Sequence, residues 1–235
     1  MSEEEAKNWI KDKTNQQAVL TKILKGAKQN GRKYAVFMAG IPGAGKTEFV
    51  RNSKSKIIKD AILIEHDQLV EHIKGYSPEN YYDFRKAGSI LVTKLFDACL
   101  KQGMSFVFDG TLSHENGRRN IAKCIKNGYA VLVIYVHQDA KSAWQLTKSR
   151  ELTKKRAIEK TGFIHTCSII NQNLREIFEQ YHTSDQFTFW IIMKNGSPGL
   201  ENSKLVVYDN AEKKGTMKEV ESILTKAYNV SELEG

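Results

Sequence analysis

Residues Gly40 to Thr47 read GIPGAGKT and satisfy the pattern G-x-x-x-x-G-K-[ST] at every fixed position. Gly40, Gly43 and Gly45 let the backbone curl so that its N–H groups turn toward phosphate oxygens. Pro42 stiffens the turn, and Ile41 and Ala44 complete the loop that would wrap a polyphosphate. Lys46 can reach β- and γ-phosphates as a point charge, and the Thr47 hydroxyl can serve Mg²⁺. The flanks suit this chemistry: the apolar run YAVFMA precedes the loop and a helical pattern starts at Lys46, whose N-terminal end favours an anion. The loop therefore predicts a bound nucleoside triphosphate, ATP or GTP, with Mg²⁺.

Three further groups have residue types suited to phosphoryl transfer. Asp67 follows the apolar run AILIEH. If that strand runs beside the phosphate loop, the carboxylate faces the γ-phosphate and can take the proton of an attacking hydroxyl or hold Mg²⁺ through water. It can also simply cap the helix that QLVEHI starts. His66 reads as a wall residue. Asp109, Gly110 and Thr111 close the run SFVFDG, where a carboxylate and a hydroxyl can bond an acceptor or the metal's water shell, or form a turn. Arg150 and Arg156 lie in TKSRELTKKRAIEK, and an arginine there either neutralises charge on the transferred phosphoryl group or decorates an exposed basic helix. Arg118 and Arg119 read as solvated.

These groups need a frame. Apolar runs at 34–39, 61–66, 105–110, 130–137, 187–193 and 204–209 read as strands. Helical spacing covers 3–30, 79–102, 115–126, 139–155, 166–182 and 216–228. Strands alternating with helices imply an α/β fold of the P-loop NTPase kind, a mostly parallel, doubly wound sheet of five to six strands. Ligands then lie at the carboxyl ends of the strands, where the candidate residues also fall. The division expected is an N-terminal helical segment (1–32), a kinase domain (33–210) and a C-terminal helical tail (211–235).

Composition narrows the class. No apolar run approaches the roughly 18–20 residues of a membrane span, and the acidic-then-basic start MSEEEAKNWIKDK lacks the apolar core of a secretory signal. Cys99, Cys124 and Cys167 are scattered and have no metal-ligand spacing. A cytoplasmic protein without a membrane partner is expected. The net charge of +9 suits anionic ligands but does not name one, and no basic and aromatic residues interleave as on a single-strand nucleic-acid surface.

Taken together, GIPGAGKT, Asp67 placed 21 positions after Lys46, FDGT at 108–111 and RELTKKRAI from Arg150 resemble the zeta toxin family of P-loop kinases over roughly residues 34–182. That resemblance implies an ATP- and Mg²⁺-dependent kinase of a sugar hydroxyl on UDP-N-acetylglucosamine, held inactive by a proteinaceous antitoxin. It implies Lys46 as phosphate ligand, Thr47 as magnesium ligand, Asp67 as base, and Arg150 and Arg156 as charge-stabilising arginines. The chain departs from the family pattern at four points, one being that Arg150 and Arg156 are closer together than the arginine pair of the best-known members. Asp109 stands where the family usually has Glu, and Thr93, sixteen positions upstream, stands at the family's substrate-binding glutamate. Leu112-Ser113-His114 replaces the arginine that often follows the Gly-Thr pair. A nucleoside, a dinucleotide, an antibiotic or a nucleic-acid 5′ end are the alternative acceptors.

Overall fold

The amino-terminal segment forms two helices where its apolar spacing suggests one: α1 (Glu3–Lys11) and α2 (Lys13–Leu24). Asp12 makes the break. Its backbone is extended, ending α1, and its carboxylate accepts from the Asn15 N–H at 3.0 Å, capping α2. A capping box between Ser2 and Glu5 starts α1. Ala6 and Ile10 are fully buried, so this segment belongs to the main core.

The computed structural model describes residues 1–27, 31–154, 158–196 and 203–233. After the helical pair the chain runs through β1 (Tyr34–Ala39), α3 (Lys46–Asn52), α4 (Lys56–Lys59), β2 (Ile62–Glu65), α5 (His66–Leu69) and α6 (Tyr81–Gln102). It continues through β3 (Phe106–Asp109), α7 (Glu115–Lys126), β4 (Ala130–His137), α8 (Ala140–Lys154) and α9 (Lys160–Tyr181). It closes with β5 (Phe187–Met193), β6 (Lys204–Asp209) and α10 (Met217–Leu224). Most boundaries follow the sequence expectation. The run 61–66 is shorter as a strand because His66 already opens α5, and α9 starts earlier than the apolar pattern at 166 suggests.

The six strands lie in the order β2-β3-β1-β4-β5-β6, all parallel except β6, which pairs antiparallel with β5. β1 is buried along nearly its whole length, as a central parallel strand covered on both faces requires. This order corrects one expectation: β2 does not run beside β1, because β3 lies between them. The register still levels the carboxyl ends, with Glu65 opposite Asp109 and Asp109 opposite Met38. Asp67 and Gly40 each lie two residues beyond that row.

α1 and α2 pack on α6, and α6 packs on α5. A Cβ at Gly88 of α6 would stand 2.4 Å from Val70 Cγ1 and 2.8 Å from His66 Nε2, so only glycine allows this approach. At the other end, the Tyr228 hydroxyl meets the Tyr135 hydroxyl at 2.7 Å and His137 Nδ1 at 3.1 Å, and Asn171 Nδ2 donates to the Lys226 carbonyl, tying the tail to β4 and α9. All three cysteines are buried thiols. Among the described residues no helix is long and apolar enough to cross a membrane.

Candidate active site

Beyond β1 the chain turns through Gly40–Gly45 before α3 begins at Lys46. Gly43 has φ +79°, and a Cβ there would stand 2.0 Å from the Ala143 carbonyl oxygen and 2.7 Å from Thr147 Oγ1. The loop and α8 are therefore in direct backbone contact, a closeness available only to glycine. Ile41 and Ala44 are fully buried and hold the loop from beneath. The Gly40 N–H donates to the Thr111 carbonyl at 3.2 Å, linking the loop to the segment after β3.

Lys46 Nζ lies inside the curl, donating to the Gly40 carbonyl at 2.8 Å and the Ile41 carbonyl at 3.0 Å. Burial pulls its pKa down to about 8; the Asp109 carboxylate opposes that shift and Arg150 adds to it. Thr47 Oγ1 donates to Asp109 Oδ2 at 2.7 Å. Asp109 thus reaches the phosphate loop itself, at the threonine expected to serve Mg²⁺; the sequence left open an acceptor or the metal's water shell as its contact.

A cavity of about 760 Å³ opens above these groups, within the size range of small-molecule sites. One wall carries Pro42, Gly43, Gly45, Lys46 and Thr47, with Asp109, Gly110 and Thr111 beside them. Asp67, which follows β2 on the far side of β3 from the loop, lines the cavity too, and Arg150 lines it from α8. Asp67 lies in the first turn of α5 with Glu65 at the cap position, so it does not cap that helix. Tyr81 donates its hydroxyl to Asp67 Oδ1 at 3.0 Å, and His66 Nδ1 lies 3.6 Å from the same oxygen.

Not every candidate reaches the cavity. Thr93 is exposed on α6, bonds its own helix at the Ser89 carbonyl (3.1 Å) and does not line the cavity. Arg156 lies outside the described residues. Arg118 pairs with Glu176 and Arg119 with Glu115, neither at the cavity. The described residues contain no cluster of three or more His, Cys, Asp or Glu that could cage a metal.

Residues the sequence did not single out line the cavity as well. Arg51 sits one helical turn beyond Thr47 on α3, and its guanidinium is 3.8 Å from Glu65, a buried carboxylate at the end of β2. Tyr81, Tyr82 and Arg85 form the first turns of α6, with the Arg85 guanidinium 5.7 Å from the Tyr82 ring centre. The i, i+4 spacings of Thr47 and Arg51, and of Tyr81 and Arg85, were visible in the sequence, but not the direction each face points. Beneath the loop, Lys194 is buried with its Nζ 3.0 Å from where a Cβ of Gly45 would be. Burial holds its pKa below the usual lysine range, against the pull of Glu48 and with Arg150 adding to the shift.

The segment after β3 is held in an unusual shape. Leu112 has φ +54°, and the buried Asn173 of α9 donates to the Leu112 carbonyl at 2.5 Å. A side chain held at positive φ costs about 1–3 kcal/mol and persists where its surroundings over-determine it.

The Zeta toxin family model matches residues 17–213. No curated protein matches by sequence. Among solved structures, one described as the PezAT chromosomal toxin–antitoxin system of Streptococcus pneumoniae superposes with TM-score 0.66 at 17% identity, covering 91% of this chain and 87% of that one. The AvrRxo1-ORF1:-ORF2 complex gives TM-score 0.68 at 13% identity, covering 94% and 72%. The same complex with ATP gives 0.66 at 12% identity, covering 98% and 74%. At these identities the superpositions establish the fold alone.

Proposed function

The chain belongs to the zeta toxin family, and from that premise we propose that it is an ATP-dependent kinase that transfers the γ-phosphate to a hydroxyl of a small molecule. The observation that carries this reading is one cavity lined by two chemically different groups: Lys46, Thr47 and Asp109 at the phosphate loop, and Asp67 from beyond β2, two strands away. A phosphate cradle alone would bind a nucleotide. A carboxylate elsewhere on the cavity supports a second, hydroxyl-bearing ligand, whose proton Asp67 would accept as the oxygen attacks the γ-phosphorus. Arg150, on α8 at the cavity edge, suits the charge that gathers on the transferred group.

The donor set also fits Mg²⁺. A threonine hydroxyl and one carboxylate 2.7 Å apart at the phosphate loop match an ion that keeps several waters and shares its shell with phosphates, so a caging cluster is not required. Bound there, the ion would neutralise charge on β- and γ-phosphate oxygens; Thr47 and Asp109 would hold it.

UDP-N-acetylglucosamine or a related UDP-sugar is the acceptor this reading tries first, with the protein acting as the toxin of a toxin–antitoxin pair. The position of Thr93 favours a second reading, the same kinase chemistry on another hydroxyl, because the residue at the family's acceptor position is off the cavity. The test is incubation with ATP, Mg²⁺ and a panel of UDP-sugars, beside Asp67→Ala. A phosphorylated sugar nucleotide made by wild type alone supports the first reading. Absence of product across the panel rejects it; product made equally by Asp67→Ala rejects Asp67 as base.

A further inference from the structure

A general base must be ionised and aimed, and the surroundings of Asp67 include a group able to do both. We infer that Tyr81 is a positioning residue: its hydroxyl holds Asp67 Oδ1, keeping the carboxylate ionised and oriented. This inference rests on the reading of Asp67 as base.

The geometry distinguishes Tyr81 from its neighbour His66. His66 Nε2 lies 2.9 Å from the Arg85 carbonyl oxygen. A carbonyl only accepts, so Nε2 carries the proton. Nδ1 stands 3.6 Å from Asp67 Oδ1, too long for a hydrogen bond. Tyr81, at 3.0 Å, is a true donor to that oxygen.

Tyr81 is also held in place. Ser77 and Asn80 form a capping box, with the Ser77 N–H donating to Asn80 Oδ1 at 2.8 Å. Asn80 Nδ2 donates back to the Gly75 carbonyl at 2.9 Å. The Tyr81 ring meets the His66 ring edge-on at 6.3 Å. The tight α5–α6 approach at Gly88 sets the distance between the two helices, and with it the reach of the hydroxyl.

A hydrogen bond donated to a carboxylate favours its charged form and lowers its pKa. Removing it raises the pKa. The other ionisable groups around the cavity stay the same when Tyr81 is changed: His66 from α5, Glu65 from β2, Lys46, Glu48 and Arg51 from α3, Tyr82 and Arg85 from α6, Asp109 from β3 and Arg150 from α8. A differential titration therefore isolates the one hydroxyl.

The experiment follows the side-chain carbon of Asp67 by NMR in ¹³C-aspartate-labelled protein across pH, assigned with Asp67→Asn. Tyr81→Phe retains the ring and its packing. The midpoint of Asp67 is expected to rise by roughly half a unit or more in Tyr81→Phe. With ATP, Mg²⁺ and UDP-N-acetylglucosamine as probe acceptor, the acidic limb of kcat/KM should move up with it. The same assay should show kcat lowered roughly tenfold and the KM for ATP within about twofold. An unmoved midpoint overturns the inference, even if kcat falls, because that pattern would make Tyr81 merely structural. If the midpoint moves but Asp67→Asn still transfers phosphate, the pairing stands and the reading of Asp67 as base fails.

Discussion

The two walls of the cavity are built in opposite ways. On the proposed function one wall receives the phosphate donor and the other the acceptor. The donor wall is mostly one continuous stretch, Gly40 to Thr47, whose backbone would make the cradle and whose two polar side chains lie next to each other in sequence. The acceptor wall is assembled from α3, β2, α5 and α6, with Arg51, Glu65, Asp67, Tyr81 and Arg85 each delivered by a different turn or strand end. Triphosphate is the same in every donor, so a local backbone shape suffices for it. An acceptor differs from one enzyme to the next, and separate elements allow its contacts to change without disturbing the cradle. On this view substitutions on the donor wall should affect nucleotide binding and turnover together, and those on the acceptor wall should separate them.

The sharpest comparison pairs Lys46→Ala with Asp67→Ala. Both should lower phosphoryl transfer by roughly 10³-fold. Only Lys46→Ala should also weaken ATP binding, by tenfold or more, when Kd is measured by calorimetry. Equal loss of ATP affinity in both variants would dissolve the distinction between the walls.

Gly43→Ala comes next. Its new Cβ would collide with the Ala143 carbonyl, which belongs to backbone, so α8 must shift. A loss of about 2–4 kcal/mol of stability is expected, read as a lower denaturation midpoint. Activity should fall more than tenfold, because Arg150 moves with α8. A variant with wild-type stability would show that the loop and helix are not locked together.

The pH dependence of ATP binding tests the donor wall from another side. Lys46 titrates at about 8 without nucleotide. If its charged form binds the phosphates, as proposed, affinity should be level below that pH and fall above it. Between pH 7 and 9 the Kd for ATP should rise by about tenfold, as the charged fraction drops. Lys46→Arg, which stays charged, should flatten that dependence. The protein without nucleotide responds the other way: a lysine whose pKa is lowered by burial is a cost while charged, so folding stability gains as pH rises from about 8 toward the unfolded value.

The smallest effect is expected at Thr93. Thr93→Ala removes an exposed side chain's methyl and a hydroxyl bonded to its own helix. It should leave kcat, both KM values and stability within twofold or about 0.5 kcal/mol. A marked rise in acceptor KM would return Thr93 to the acceptor wall and require α6 to turn on binding.

The strands at 34–39, 130–137, 187–193 and 204–209 were legible to the residue because each is dominated by apolar and β-branched or aromatic residues. The break at Asp12 was not, since apolar spacing continues across it and only a cap bond at Asn15 marks the new start. The place of Asp67 was only half legible. Its position after β2 was clear, but the expected neighbour of β1 proved to be β3, and strand order depends on crossovers that local sequence does not encode. Asp109 shows the consequence: because β3 lies next to β1, its carboxylate reaches Thr47.

By itself, the sequence determined the phosphate loop, the alternating α/β frame and the family pattern. Loop curvature, helix starts and apolar periodicity depend on residues within a few positions of each other. Only the tertiary structure decided which carboxylate stands by the loop, that Thr93 is off the cavity, and that Tyr81 donates to Asp67. Those outcomes depend on strand order, on Gly88 letting α6 close against α5, and on side-chain directions set by packing between elements far apart in the chain.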